Sequence, residues 1–301
     1  MGLRRLQANR AALAVGTALV LACSSQAAPS RAVAPLIPAQ AAAAPPASAP
    51  VIAAGPPAEK LESAVEPARP EPCPGGMQHV VTSFCPEMKR QCVQKEYDAP
   101  NRITICHRYA EGQNDCRAPR VPLDYCIDEY EFPNRAGERP PVMVSFYDAE
   151  KACTSVGKRV CRESEWVAAC EGPEESPFPT GWRREPEKCN FDNKWVSPIL
   201  DRVYSADAEV QRAELQRLDR SVPSGSRPEC KSGFGVLDLT GNVDEWVRAD
   251  TERENRRSRF AGLKGGAWGH VRNACRPVTT SHAPDFTYYF IGFRCCADAT
   301  L

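Results

Sequence analysis

Hydrophobic residues recur along this chain in several patterns, and each predicts a different kind of element. A continuous apolar run, residues 11–22, follows Arg4, Arg5 and Arg10. It is too short to cross a bilayer as a helix but suits the core of an export signal. Residues 24–72 show no periodicity: they hold 16 Ala and 11 Pro in 49 residues and no aromatic side chain. Such a stretch cannot bury enough surface to fold, and its prolines favour an extended, disordered tether. Between 73 and 126 short apolar runs alternate with turn residues, predicting short strands at 79–82 and 102–106 in a loop-rich subdomain. Farther on, Ser145 and Asp148 form a helix start signal, and Ala149, Ala152, Cys153 and Val156 recur at helical spacing until Gly157. A second helix is predicted over 163–169, with Trp166, Val167 and Cys170 on one face, and a third, at the surface, over 206–218. Turns and short strands dominate after Gly172, so the fold class is α+β.

Composition changes this picture through cysteine. The 301 residues include 15 Cys, hard to keep inert in a reducing cytosol, so the pattern predicts an exported, disulfide-bonded protein. The odd count asks for a second fate for one thiol. Val20, Leu21, Ala22 and Cys23 close the apolar run and resemble a bacterial lipobox, which would make Cys23 the lipidated N-terminus of the mature protein and 1–22 its signal peptide. The alternative is an ordinary signal peptide cut after Ala22 or Ala28. The lipobox reading implies a membrane-anchored lipoprotein of the cell envelope, on the outer membrane where the cell has one. Basic and acidic residues balance at 38 each, and loss of Arg4, Arg5 and Arg10 leaves the mature chain at about −3. That charge gives no electrostatic case for nucleic acid as a partner.

Six cysteines, Cys73, Cys85, Cys92, Cys106, Cys116 and Cys126, crowd the segment 73–126. Six thiols allow fifteen pairings, and their spacing does not choose among them. Zinc competes poorly, because there is no Cys-x2-Cys and only His79 and His107 are at hand. No serine-hydrolase elbow, phosphate-binding glycine loop or zincin motif is present either.

The region 127–301 carries several specific blocks in a fixed order: GKR followed by ESEW (157–166), GNV-x-EW (241–246), GGAW (265–268) and GFRC (292–295). Together they resemble the formylglycine-generating enzyme, or sulfatase-modifying factor, family. The resemblance implies a single compact domain of an elaborated C-type-lectin-like fold with little regular secondary structure. It also implies the pairs Cys153–Cys295 and Cys170–Cys275, with Cys189–Cys230 and Cys161–Cys296 as further candidates.

In the copper-dependent members of that family, two thiolates on one strand hold Cu(I), which activates dioxygen to oxidise a substrate cysteine. Here the stretch between GGAW and Cys275 is too short for that pair. Cys275 matches the family's structural cysteine, and His270 stands where the second thiol is expected. No catalytic residue is therefore assigned. The expected function is a non-catalytic binding or envelope-assembly role, as a monomer with a peptide, protein or glycan ligand. The alternative is a divergent, copper-using oxidase of a protein cysteine. Trp268, His270 and Arg272 are the candidate groove residues; Trp182, Trp195, Phe286, Tyr288 and Tyr289, with Trp268, could line a groove for a peptide or glycan, although core packing is the default for most of these aromatics. Family positions that bind calcium correspond to Asp238, Gly241, Val243 and Glu245, where carboxylates flank a glycine turn with backbone carbonyls between them. A second calcium site would begin at Asn190 and Phe191. Position 244, usually Trp in the family, is Asp in this chain.

Overall fold

The computed structural model describes residues 71–254 and 257–300. The export signal, Cys23 and nearly all of the tether lie outside the described residues.

The chain runs β1 (Met77–Phe84), β2 (Met88–Asp98), β3 (Ile103–Cys116), β4 (Val121–Asp128), α1 (Phe146–Ser155), β5 (Arg159–Val160), α2 (Glu163–Glu171), α3 (Leu200–Val203), α4 (Ala208–Leu218), β6 (Asp244–Arg248), β7 (Ala261–Lys264), β8 (Ile291–Phe293) and β9 (Cys295–Asp298). It is an α+β fold with little helix. One sheet has the order β1-β4-β9-β5 and a second β7-β6-β8, while β2 and β3 form a two-stranded ribbon.

The segment 73–126 differs from its expected form in two ways. Its strands are much longer than predicted, because long-range pairing and disulfides hold residues that carry little apolar alternation. Cys73–Cys126, Cys85–Cys116 and Cys92–Cys106 are nested one inside the next in sequence, the innermost joining the two ribbon strands. Its outer strands, β1 and β4, also share a sheet with β9 at the far end of the chain.

Local signals explain the helices. Ser145 Oγ accepts from Asp148 N at 3.1 Å, and the Asp148 carboxylate accepts from Ser145 N at 3.1 Å, so α1 begins on a complete capping box. Phe146, Ala149 and Cys153 form its buried face. In α2 the whole run Glu165–Glu171 is buried, since this helix packs against β1, β4 and β6.

Arg294, between β8 and β9, joins the two sheets. Its guanidinium is fully buried and takes both Glu245 oxygens at 2.7 Å, the carbonyl of Leu237 at 3.0 Å and those of Asp128 and Glu129 at 3.3 Å. The adjacent Cys295 and Cys296 point to opposite faces of a strand, so they reach different partners. Cys295 bonds Cys153 of α1, and Cys296 bonds Cys161 just ahead of α2. Cys170–Cys275 and Cys189–Cys230 complete the set.

Candidate functional site

The loop 265–275 is built on two glycines with left-handed backbone, Gly265 (φ 86°) and Gly266 (φ 73°). A side chain on Gly266 would meet the Asn273 amide at 2.8 Å. That amide instead donates to the carbonyls of Gly266 and Ala267 at 3.0 and 3.1 Å, and Arg184 donates to its oxygen at 3.1 Å. The loop is thus stitched to its own start, and His270 projects from its middle.

His270 Nδ1 lies 3.2 Å from the carboxylate of Asp244, a buried residue at the start of β6. A longer contact, 3.4 Å, joins the same nitrogen to Ala267 N. Ala267 N donates to Nδ1 whereas Asp244 needs a proton there, so the two contacts call for opposite tautomers, and the shorter one, to a buried charge, is the stronger. Burial disfavours the imidazolium, but the charge and hydrogen bond of Asp244 outweigh it and raise the His270 pKa, against a smaller opposing effect of Arg272. Phe290 meets the ring edge-on at 4.5 Å, and Trp195 lies nearly parallel to it at 6.3 Å.

His270 stands between two cavities. One, of about 440 Å³, is lined by Pro100, Asn101, Trp195, Gly269, Val271, Arg272 and Thr279 besides His270. The other, of about 390 Å³, is lined by Asp244, Thr279, His282 and the rings of Tyr204, Phe286, Tyr288 and Phe290, with Leu200 at its edge. Pro100 and Asn101 belong to the turn between β2 and β3, so the ribbon reaches over the domain and its tip forms one wall. Tyr109 N donates to Trp182 O at 3.0 Å, and Arg184 N donates to His107 O at 2.9 Å. Arg90 pairs with the buried Glu171 at 2.7 Å. These contacts hold the ribbon in place.

Of the groove residues read from sequence, His270 and Arg272 line the cavity. Trp268 does not: it is only 4% exposed, packed among Tyr289 and Phe290 in the core. Tyr289 is likewise buried, whereas Trp195 is 46% exposed. The sequence offered no signal for the ribbon tip. The Asp244–His270 contact left one trace, since both positions depart from the family pattern.

No thiol is near. All fourteen cysteines from Cys73 onward are in disulfides, so none offers a thiolate to copper and the residues present do not fit that metal.

The loop 238–245 is different. Asp238 is buried, and one of its oxygens accepts from Gly225 N at 2.7 Å. Beside it Glu131 accepts from Ser224 Oγ at 2.5 Å and Asn242 Nδ2 at 2.8 Å. Burial raises the pKa of both carboxyls, and the nearby carboxylates add to the effect on each. Among the described residues Glu131, Asp238 and Glu245 share one fully buried guanidinium, Arg294, with Arg227 a lesser influence on Asp238, and Thr240 Oγ1 within the loop has no partner. A local shortage of positive charge and an orphaned oxygen fit a hard divalent cation. Glu245 would enter with what Arg294 and Trp166, which donates to it at 2.8 Å, leave free. At the second position Asn190 is already committed, donating to Arg220 O and Asn242 Oδ1 and accepting from Asn193. The Phe191 ring lies under Arg184 at 4.4 Å. Among the described residues no group of three or more His, Cys, Asp or Glu side chains is arranged to hold a metal, so a cation at 238–245 would depend on backbone oxygens as well.

Residues 95–299 match the sulfatase-modifying factor enzyme 1-like domain family. The chain is 26% identical over 175 residues to the formylglycine-generating enzyme of Mus musculus, covering 53% of this chain and 44% of that protein. It is 29% identical over 169 residues to the inactive C-alpha-formylglycine-generating enzyme 2 of Bos taurus, covering 54% and 51%. The chain thus spans about half the length of these relatives. Among solved structures CarF matches at 13% identity and a TM-score of 0.45, covering 74% of this chain and 97% of that one.

Proposed function

Because the chain belongs to the sulfatase-modifying factor enzyme 1-like domain family, we propose that it uses this domain as a non-catalytic binding module in the cell envelope. The observation that carries the reading is the pairing of every described cysteine, together with a site loop that presents His270 in place of a thiol. Copper-thiolate chemistry needs two free thiolates, and losing both ligands removes the site. Seven disulfides suit an oxidising, exported setting. Among the described residues no helix is long and apolar enough to cross a membrane. In this reading Cys23 carries a lipid, residues 24–72 are the tether, and the monomeric domain receives a peptide, protein or glycan at the cavity beside His270. A relative described as inactive agrees with a fold kept without its chemistry.

Copper titration of the purified chain tests this. The expected result is no stoichiometric Cu(I) binding and no thiol-dependent oxygen uptake; tight binding with uptake would establish the oxidase alternative.

Calcium belongs to the same proposal. Asp238, Glu245 and the carbonyls of Gly241 and Val243 would hold it, where it would supply the positive charge that the buried carboxylates lack. Added calcium should then raise the melting temperature, and Asp238→Asn should abolish the shift.

A further inference from the structure

We propose that the cavity between the ribbon tip and residues 269–272 takes a carboxylate-bearing pyranose, a sugar of the uronate class. This deepens the binding reading above and rests on it.

The lining is chemically selective. Trp195 offers a flat, half-exposed ring, and it lies close over Gly269, where even a methyl group would sit 3.1 Å from the indole. An exposed aromatic face of this kind stacks on a sugar ring. Arg272 is exposed and has no carboxylate partner among the described residues. His270 adds a second nitrogen-bearing edge, with its Nδ1 already committed to Asp244. Thr279 supplies a hydroxyl and Asn101 an amide oxygen, the Asn101 amide nitrogen donating to Asp98 at 3.1 Å. Among the described residues no acidic side chain lines this cavity; Asp98 is held by Asn101 behind the lining, and Asp244 opens on the neighbouring cavity. A cation without a carboxylate partner among the described residues, an aromatic platform, a hydroxyl and an amide oxygen together fit an anionic polyol.

Other occupants use the site less well. A purely apolar ligand would leave Arg272 unpaired, at a desolvation cost. A bare inorganic anion would make no use of Trp195. An acidic peptide brings backbone N–H donors that need acceptors, and here only Asn101, Thr279 and backbone carbonyls could serve. The volume of about 440 Å³ lies within the range usual for small-ligand pockets, about 300–1,000 Å³.

The test is ligand-observed NMR titration of the full chain in detergent with methyl glucuronoside and methyl glucoside, which differ only in the carboxylate. The glucuronoside should bind saturably and the glucoside at least about tenfold more weakly, the scale of one charge-assisted contact. Arg272→Gln and Trp195→Ala should each weaken glucuronoside binding to a similar degree, whereas Arg212→Gln, on the exposed face of α4, should not. Both site residues are exposed, and an unchanged melting temperature confirms that each variant is folded. Equal binding of the two sugars, tighter binding of a triglutamate peptide, or indifference to both site variants would overturn the proposal. None of these outcomes bears on copper, so the ligand assignment can fail while the non-catalytic reading stands.

Discussion

Arg294 shows what a single buried charge can organise. Every N–H of its guanidinium has an acceptor, two of them carboxylate oxygens of Glu245. Removing one member of such a pair leaves an uncompensated buried charge, so Arg294→Met should cost about 3–5 kcal/mol in denaturant unfolding. Lys264 makes a different case. Burial pushes its pKa down to about 7, although Nζ donates to Arg276 O at 2.8 Å and lies 5.5 Å from the Trp166 ring centre. A base with a depressed folded pKa destabilises most where both states are charged, below that pKa, and the penalty fades as pH rises toward the unfolded value. Relative to Lys264→Met, the wild type should therefore gain melting temperature as pH rises from about 7 toward about 10.4. At this scale the sequence was only partly legible. His270 and Arg272 could be located by their distance from GGAW, but burial of Trp268 depends on neighbours 21 and 22 residues away, Tyr289 and Phe290.

Secondary-structure elements differ in how locally they are encoded. The helix α1 was readable because its capping box and apolar face lie within a dozen residues, and Ser145→Ala should cost about 1 kcal/mol in thermal or denaturant unfolding. The surface helix α4 was readable for the same reason: Asp207 accepts from Glu209 N and Val210 N at its start. The strands β2 and β3 were not. Much of their surface is exposed on both faces, so no alternation marks them, and their pairing shifts register at bulges near Arg90, Cys92 and Gln94. The nested disulfide order follows from that antiparallel pairing, which spacing alone does not contain. If the ribbon tip is a wall of the ligand site, Cys92→Ser/Cys106→Ser should weaken glucuronoside binding several-fold, and because this rung closes the shortest loop it should cost about 3 kcal/mol in denaturant unfolding, less than loss of a long-range bridge.

At the level of the molecule, long-range links tie the domain together. Cys153–Cys295, Cys161–Cys296 and Cys170–Cys275 span 142, 135 and 105 residues. In the loop-entropy account each such closure is worth about 3–5 kcal/mol, and Cys153→Ala/Cys295→Ala should lose stability on that scale in chemical denaturation. These partners were anticipated by resemblance to a family, whereas the docking of the ribbon over residues 269–272 was not. The docking depends on Arg90 meeting Glu171 and on main-chain bonds at Tyr109 and Arg184, contacts with no signature in either segment alone.

The outermost of the nested disulfides, Cys73–Cys126, has a mechanical meaning. Cys126 lies in β4, which is flanked by β1 and β9, and Pro72 O accepts from Thr300 N at 2.9 Å. Tension entering the domain at residue 71 would cross the sulfur bridge at Cys73 directly into the middle of a sheet. There it meets a strand paired on both sides, with β1 and with β9. Without that bridge the same pull would reach β1 first, an edge strand held by β4 alone.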